Sequence, residues 1–459
     1  MLNSTVRPTE KLAAVVAPVL EQTAAGALSR RPFALELWDG SVVPASTPLD
    51  PPVCLRVRSP RALARLLHAP GELGLARAWV AGELELDGDA ERALAALADL
   101  ARVRLRRSDR VRLLLLARRL GAVSVRAPRP PAVEARVRGA RHSLRRDRAA
   151  VRHHYDVPTS FYRLVLGPSL VYSCAYFASP DEPLEVAQER KLDLVCRKLA
   201  LEPGERLLDV GCGWGSLVLH AAQRYGVRAV GITLSPEQAR EARRRVAEAG
   251  LEGRVEIRVA DYRQLDDGPY DKVASVGMVE HVGVALLDTY ARRLAALVRP
   301  GGRVLNHGIV RLVPKATSDD SFVGRYVFPD GELHPLSASL TAFERAGLEV
   351  RDVEALREHY ALTLRAWSRN LARNREAAVA QAGAERERVW RLYMAGSALM
   401  FERGEIGVCQ TLVVRPGAPH GLAPLRPWPQ RATAPGAAHV AWPLDGGPAP
   451  RRHPARARR

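Results

Sequence analysis

Apolar positions along the chain fall into two rhythms. Between 206 and 309, short β-type runs alternate with helical stretches: RLLDV, a helix from 215, RAVGI, a helix from 236, RVEIRV, DKVASV, a helix near 285–298, and RVLNHGI. That alternation predicts βαβ units and an α/β fold built on a doubly wound parallel sheet. Two long helical patterns follow, at about 354–381 and 384–402. A late run, IGVCQTLVV at 406–414, then reads as an antiparallel strand added at the sheet edge. Upstream, residues 1–100 mix short apolar runs with turn signals at WDGS (38–41), LDPP (49–52) and LDGD (86–89), which suits a smaller α+β unit. LAAVVAPVL near the start reads as a helix rather than a leader, because Glu21 follows directly and no small-residue cleavage site is clear. Residues 101–122 read as a basic amphipathic helix carrying Leu105, Leu113, Leu116 and Leu120, and PRPP at 128–131 breaks it. The expected organisation is an N-terminal domain over 1–125, a basic linker over 126–150, a catalytic domain over 151–415 and a disordered tail over 416–459.

Composition narrows the class of protein. With 459 residues, 47% of them hydrophobic, the chain can bury large cores, and no apolar run approaches the roughly 18 residues that span a bilayer. A cytoplasmic enzyme, soluble or peripheral to the membrane, is expected. Five cysteines without a C-x-x-C pair argue against a disulfide framework and a structural zinc, so no metal is expected. The net charge of +19 is concentrated in two places: sixteen arginines against three acids in 101–150, and seven against one in 416–459. A neutral body with two basic attachments argues against a fold-wide nucleic-acid surface. The arginine-rich helix serves either as a solvated face or as a contact for an anionic partner.

Candidate chemistry starts at LLDVGCGWGSL (207–217), a strand that ends in a glycine loop and runs into a helix. The glycines let the backbone turn sharply and approach a ligand. Asp209 precedes the loop, and the spacing is G-x-G-x-G rather than the G-x-G-x-x-G that seats a pyrophosphate, which favours S-adenosylmethionine over a dinucleotide. The second strand lacks the usual terminal acid, so polar reach there must come from Thr233 or Gln238. After the third strand, Asp261 could accept from the adenine amino group and Tyr262 could stack on the ring.

Several motifs in one order give the chain a resemblance to the cyclopropane-fatty-acyl-phospholipid synthases and the related mycolic-acid cyclopropane synthases. They are HHYDVPTSFYRLVLGPSLVYSCAYF (153–177), LLDVGCGWGSL, GITLSPEQ, ADYRQL (260–265), SVGMVEHVG (275–283), LNHGI (305–309), YVFPDGEL (326–333), HYALTLRAW (359–367) and FERGEIGVCQ (401–410). The resemblance covers most of 151–415 and is loose over 1–125. It implies a seven-stranded class I methyltransferase sheet, S-adenosylmethionine as donor, and the cis double bond of an unsaturated phospholipid acyl chain as acceptor. It also implies a bound bicarbonate as general base. Carried over by motif, the bicarbonate site falls on Cys174, Glu280, His307, the backbone of Ile309, and Tyr360. The donor site falls on Tyr172, Ser173, Gly211, Gly213, Thr233, Leu234 and Gln238, beside Asp261 and Tyr262. Pro158-Thr159 and Phe177 depart from the family pattern, which leaves the shape of the acyl pocket less fixed than the chemistry. A peripheral site at the inner face of an anionic membrane is expected, no nucleic-acid partner is, and a homodimer is allowed.

The chemistry needs few reactive groups. The alkene's π electrons attack the sulfonium methyl and leave a carbocation, so the site must exclude water, tolerate the cation and then remove a proton. Aromatic faces suit such a cation. Six of the chain's 25 aromatics, Tyr155, Phe161, Tyr162, Tyr172, Tyr176 and Phe177, lie within 153–177, and at least two are expected on the pocket wall. Glu280, His281 and His307 each follow a strand, and any of them could be a base or hold one. Cys174 by itself would suggest a nucleophile; the resemblance makes it a bicarbonate ligand. Competing readings are C-methylation of the acyl chain to a methylene- or methyl-branched product, a nucleic-acid methyltransferase, and a non-catalytic lipid carrier.

Overall fold

The computed structural model describes residues 11–422 apart from 24–29, 89, 102–105, 123–125, 127, 138, 156 and 314–320. Seven strands form the main sheet: β5 (Arg206–Val210), β6 (Arg228–Thr233), β7 (Val255–Val259), β8 (Tyr270–Val276), β9 (Val298–Arg311), β10 (Glu349–Ala355) and β11 (Ile406–Val414). Their order is β10-β11-β9-β8-β5-β6-β7. Strands β7, β6, β5, β8 and β9 are mutually parallel, and β11 runs antiparallel between β9 and β10. Covering helices explain the near-continuous apolar runs: β5 buries Leu207, Leu208 and Val210, and all nine residues of β11 are buried. The chain reverses direction across the sheet between β5 and β8, and at such a switch point ligands bind beyond the strands' carboxyl ends.

The N-terminal α+β unit is a four-stranded sheet, β2-β1-β3-β4, from β1 (Ala34–Glu36), β2 (Val42–Val43), β3 (Cys54–Val57) and β4 (Leu84–Asp87), with helices Pro60–His68 and Glu72–Val80 between β3 and β4. It shares its core with the catalytic region: Trp79 and Val80 belong to one apolar cluster with Trp390 and Phe401. Trp79 Nε1 donates to the Arg388 carbonyl at 2.9 Å, and Arg388 pairs with Glu85 at 2.9 Å.

The structure adds detail to the expected elements. The 354–381 helix starts later, because Glu349–Ala355 is an edge strand, and it divides at Asn374 into Arg357–Arg373 and Arg375–Ala382. The linker over 126–150 is helical from Leu144, in a helix running to Tyr155. In the basic helix, here Arg107–Arg119, the expected leucine stripe faces inward. Leu120 is buried and Leu116 packs on the core, while Val111, Leu114 and Leu115 are the exposed apolar residues; Leu105 lies outside the described residues. Residues 416–422 form no helix or strand, and within them the His420 carbonyl accepts from Arg303 Nη2 at 2.8 Å. Residues 423–459 lie outside the described residues.

Candidate active site

Two adjoining cavities occupy the switch point. The first lies beyond the ends of β5, β6 and β7, where all nine expected donor-site residues, Tyr172, Ser173, Gly211, Gly213, Thr233, Leu234, Gln238, Asp261 and Tyr262, line one space. The glycine loop builds its floor. Gly211 sits at φ 84°, and a Cβ there would lie 2.9 Å from Met278 Cγ. Gly213, at φ 55°, would point a Cβ into open space. Ser235 caps helix Pro236–Glu248 by accepting from Gln238 N at 3.3 Å, which sets Gln238 against Thr233; Thr233 Oγ1 donates to Gln238 Oε1 at 2.7 Å. Asp261 is more committed than its sequence position suggests. It accepts from Arg263 Nε at 2.9 Å, Nη2 at 2.7 Å and the Arg263 backbone at 3.0 Å, which leaves room for one further donor.

The segment carrying Tyr172 and Ser173 is held from two sides. Gln188 Nε2 donates to the carbonyls of Leu166 and Val171, and Ala175 N donates to Thr363 Oγ1 at 3.0 Å. Tyr172 OH lies 3.1 Å from His154 Nε2, and the two rings stack with centroids 5.6 Å apart. Burial pushes His154 well below the ordinary histidine range, so it stays neutral.

The second cavity has a volume of about 780 Å3 and runs from Tyr155, Tyr172, Glu280, Ile309 and Tyr360 past Phe328, Tyr393 and Met400. It reaches His68, Pro70, Glu72, Leu73 and Arg77 of the N-terminal unit. Five residues, Tyr155, Tyr172, Gly277, His281 and Asp330, line both cavities. Two of the six clustered aromatics, Tyr155 and Tyr172, are therefore wall residues. Phe161, Tyr162 and Phe177 are buried in the core, and Tyr176 stacks on His359.

The five residues expected around bicarbonate divide. Glu280, Ile309 and Tyr360 line the second cavity. Glu280 Oε1 accepts from Ile309 N at 2.7 Å, while Oε2 is buried with no hydrogen-bond partner. Burial raises the Glu280 carboxyl to about 7. Cys174 and His307 line neither cavity. The Cys174 thiol is fully buried and directed at the carbonyls of Ala175 and Leu356, with its pKa raised by burial, which leaves it a poor nucleophile. Burial pushes His307 down to about 3, and its Nδ1 lies 3.2 Å from Gln410 Nε2.

Sequence reasoning missed Asp147, Lys191 and Arg263 in the first wall, and Phe328, Tyr393 and the N-terminal helices in the second. A lone lysine inside an amphipathic helix gives no signal of its own. The N-terminal wall depends on contacts more than 200 residues apart in sequence, such as Phe322 N donating to Glu72 Oε1 at 2.8 Å.

A seven-stranded sheet of this order, with a glycine loop and donor cavity at its switch point, defines a class I S-adenosylmethionine-dependent methyltransferase. Residues 142–411 match the family described as mycolic acid cyclopropane synthetase, and the chain belongs to that family. It is 42% identical over 415 residues to a probable fatty acid methyltransferase of Mycobacterium tuberculosis, covering 88% of this chain and 96% of that protein. It is 36% identical over 274 residues to cyclopropane mycolic acid synthase 1 of the same species, covering 57% of this chain and 95% of that protein. The solved structure of mycolic acid cyclopropane synthase CmaA1 complexed with SAH and CTAB aligns with a TM-score of 0.56 and 35% identity, over 58% of this chain and 98% of that one.

Proposed function

We propose that this protein transfers the methyl group of S-adenosylmethionine to the cis double bond of an unsaturated phospholipid acyl chain and closes a cyclopropane ring. The observation that carries this reading is the 780 Å3 cavity that adjoins the donor cavity at Tyr155 and Tyr172 and is lined by aromatic and apolar residues together with charged ones such as Arg77, Arg311 and Glu332. It has the size and lining of a site for an apolar ligand. Tyr155 and Tyr172 line the junction where the cation would form on methyl transfer, and Glu280 Oε2, buried without a hydrogen-bond partner, can receive a proton on the second cavity's wall. The walls also fit a small anion. The Tyr360 hydroxyl can donate, and Glu280, raised to about 7, is partly neutral at neutral pH and repels an anion less than a fixed carboxylate would. Bicarbonate bound there would supply a proton acceptor next to the new methyl, held by Glu280 and Tyr360, with Cys174 and His307 supporting the wall from behind.

We place the lipid at an anionic leaflet reached through helix Arg107–Arg119, which exposes Val111, Leu114 and Leu115 among Arg107, Arg110, Arg112, Arg118 and Arg119. A second reading, methylation to a branched chain without ring closure, is favoured by the 42% identity to a probable fatty acid methyltransferase. A methylene branch adds the same CH2 as the ring, so mass alone does not separate those two, whereas a saturated methyl branch needs a further reduction. The test is to incubate purified protein with S-adenosylmethionine and mixed monounsaturated phospholipid vesicles and to resolve ring from branch by NMR of the released chains. Cyclopropane signals support ring closure, and methyl or methylene branches support the second reading. Unmodified chains defeat both. Bicarbonate added to degassed enzyme should raise the rate, and no response counts against the anion assignment.

A further inference from the structure

The donor's amino-acid end is a zwitterion, so its site has to satisfy an α-ammonium and an α-carboxylate away from bulk water. Most charged groups on the donor-cavity wall are already paired. Arg263 binds Asp147 and Asp261, and Asp330 binds Arg146. Two ionisable groups on that wall have no salt bridge, Lys191 and Asp209, both only 2% exposed, and burial raises the Asp209 carboxyl to about 7. Lys191 lies on helix Leu184–Leu199 one turn beyond Gln188, on the face that holds the Leu166–Val171 loop. Its Nζ donates to Ser173 Oγ at 2.9 Å, which leaves the serine's own O–H to donate onward. Asp209 Oδ1 has no hydrogen-bond partner.

A buried ammonium whose one bond is to a neutral hydroxyl is costly to keep charged, and burial lowers Lys191 to about 8. A ligand carboxylate would remove that cost. We propose that Lys191, acting with the Ser173 hydroxyl, is the cation that binds the donor's α-carboxylate. This rests on the assignment of this cavity as the S-adenosylmethionine site.

The test measures the binding of S-adenosylmethionine and of decarboxylated S-adenosylmethionine, which lacks only the α-carboxylate, to the full-length protein by calorimetry. The parent should prefer S-adenosylmethionine by roughly ten- to a hundredfold, the range of a charge-assisted hydrogen bond. Lys191→Met should lose that preference by binding S-adenosylmethionine more weakly while holding the decarboxylated compound as the parent does, which also shows that the variant is folded. Ser173→Ala, which leaves the buried charge in place, should narrow the preference in part. An intact preference in Lys191→Met, or an equal loss for both compounds, overturns the proposal. If Lys191→Met does not fold, an unchanged preference in Ser173→Ala overturns it. A parent that binds neither compound removes the donor-site assignment itself.

Discussion

Glu134 connects the N-terminal unit to the wall of the second cavity, and replacing it with Gln should damage acceptor binding while leaving donor binding intact. Its carboxylate accepts from Arg77 Nε at 2.8 Å, Arg77 Nη2 at 2.6 Å and Tyr326 OH at 2.9 Å. Burial opposes the charge, but these bonds hold the carboxyl below its ordinary range. Tyr326 ends the short helix Phe322–Tyr326, whose first residue is held by Glu72. Breaking one side of a buried ion pair costs about 3–5 kcal/mol, and the partial exposure of Arg77, 21%, brings the expected cost down to about 2–3 kcal/mol. If that energy is lost from the cavity wall, KM for the lipid should rise by roughly 30- to 150-fold. Tyr326→Phe removes one hydrogen bond worth about 1 kcal/mol and should give roughly a fivefold rise. Initial rates against lipid concentration, with the donor Kd by calorimetry, separate the effects. If donor Kd and lipid KM move together, or only the melting temperature falls, the network merely joins the two parts of the fold.

Three other outcomes are expected. Glu280→Gln and Tyr360→Phe should each lower turnover by about a hundredfold or more with little change in donor Kd, and equal losses in donor affinity would move these residues into the donor site. His307, held at about 3, stays neutral in the fold, while an unfolded chain protonates it near 6.5. Stability from this group is therefore complete above pH 6.5 and falls by about 1.4 kcal/mol per unit as pH drops toward 3. His307→Gln should flatten the decline in melting temperature between pH 6.5 and 4.5; an unchanged slope rejects this account. Changing Arg107, Arg110, Arg112, Arg118 and Arg119 to Gln should abolish salt-sensitive binding to anionic vesicles, and Leu114→Ser with Leu115→Ser should weaken the salt-resistant remainder. Vesicle binding equal to the parent's at low salt would leave this helix without a membrane role.

The parallel strands were legible because both faces of each are covered, so β5, β6 and β8 read as apolar runs closed by turn signals. Strand β10 was not. EVRDVEA lies at the sheet edge with no residue fully buried, and its charges imitate the start of a helix. The donor loop was readable because glycine spacing is a backbone requirement. Lys191 and the Glu72, Arg77 and Glu134 set were not, since their roles come from tertiary contacts alone. The basic helix shows a further limit. Its leucines are spaced for either face, and the helix rotation that buries Leu120 and exposes Leu114 and Leu115 is set by packing against Leu12–Gln22.

The shared wall between the cavities bears on the chemistry of an alkene acceptor. Positive charge leaves the sulfonium and passes to carbon, so a fixed carboxylate at the junction would hold the cation as an ion pair, and a fixed cation would oppose its formation. The junction avoids both. Tyr155 and Tyr172 remain un-ionised, with pKa values raised by burial. His281, which lines both cavities, is lowered to about 4 by burial and is neutral at physiological pH. Asp330, the acid on that wall, is tied to Arg146 through two hydrogen bonds of 2.6 Å. A migrating cation at this junction therefore meets neutral rings and a neutralised carboxylate. The nearby unpartnered carboxyl oxygen, Glu280 Oε2, belongs to a group that titrates near neutrality and can release or take a proton. In the reaction proposed above, that combination favours proton loss over lasting capture of the cation, a step that ring closure and a methylene branch share.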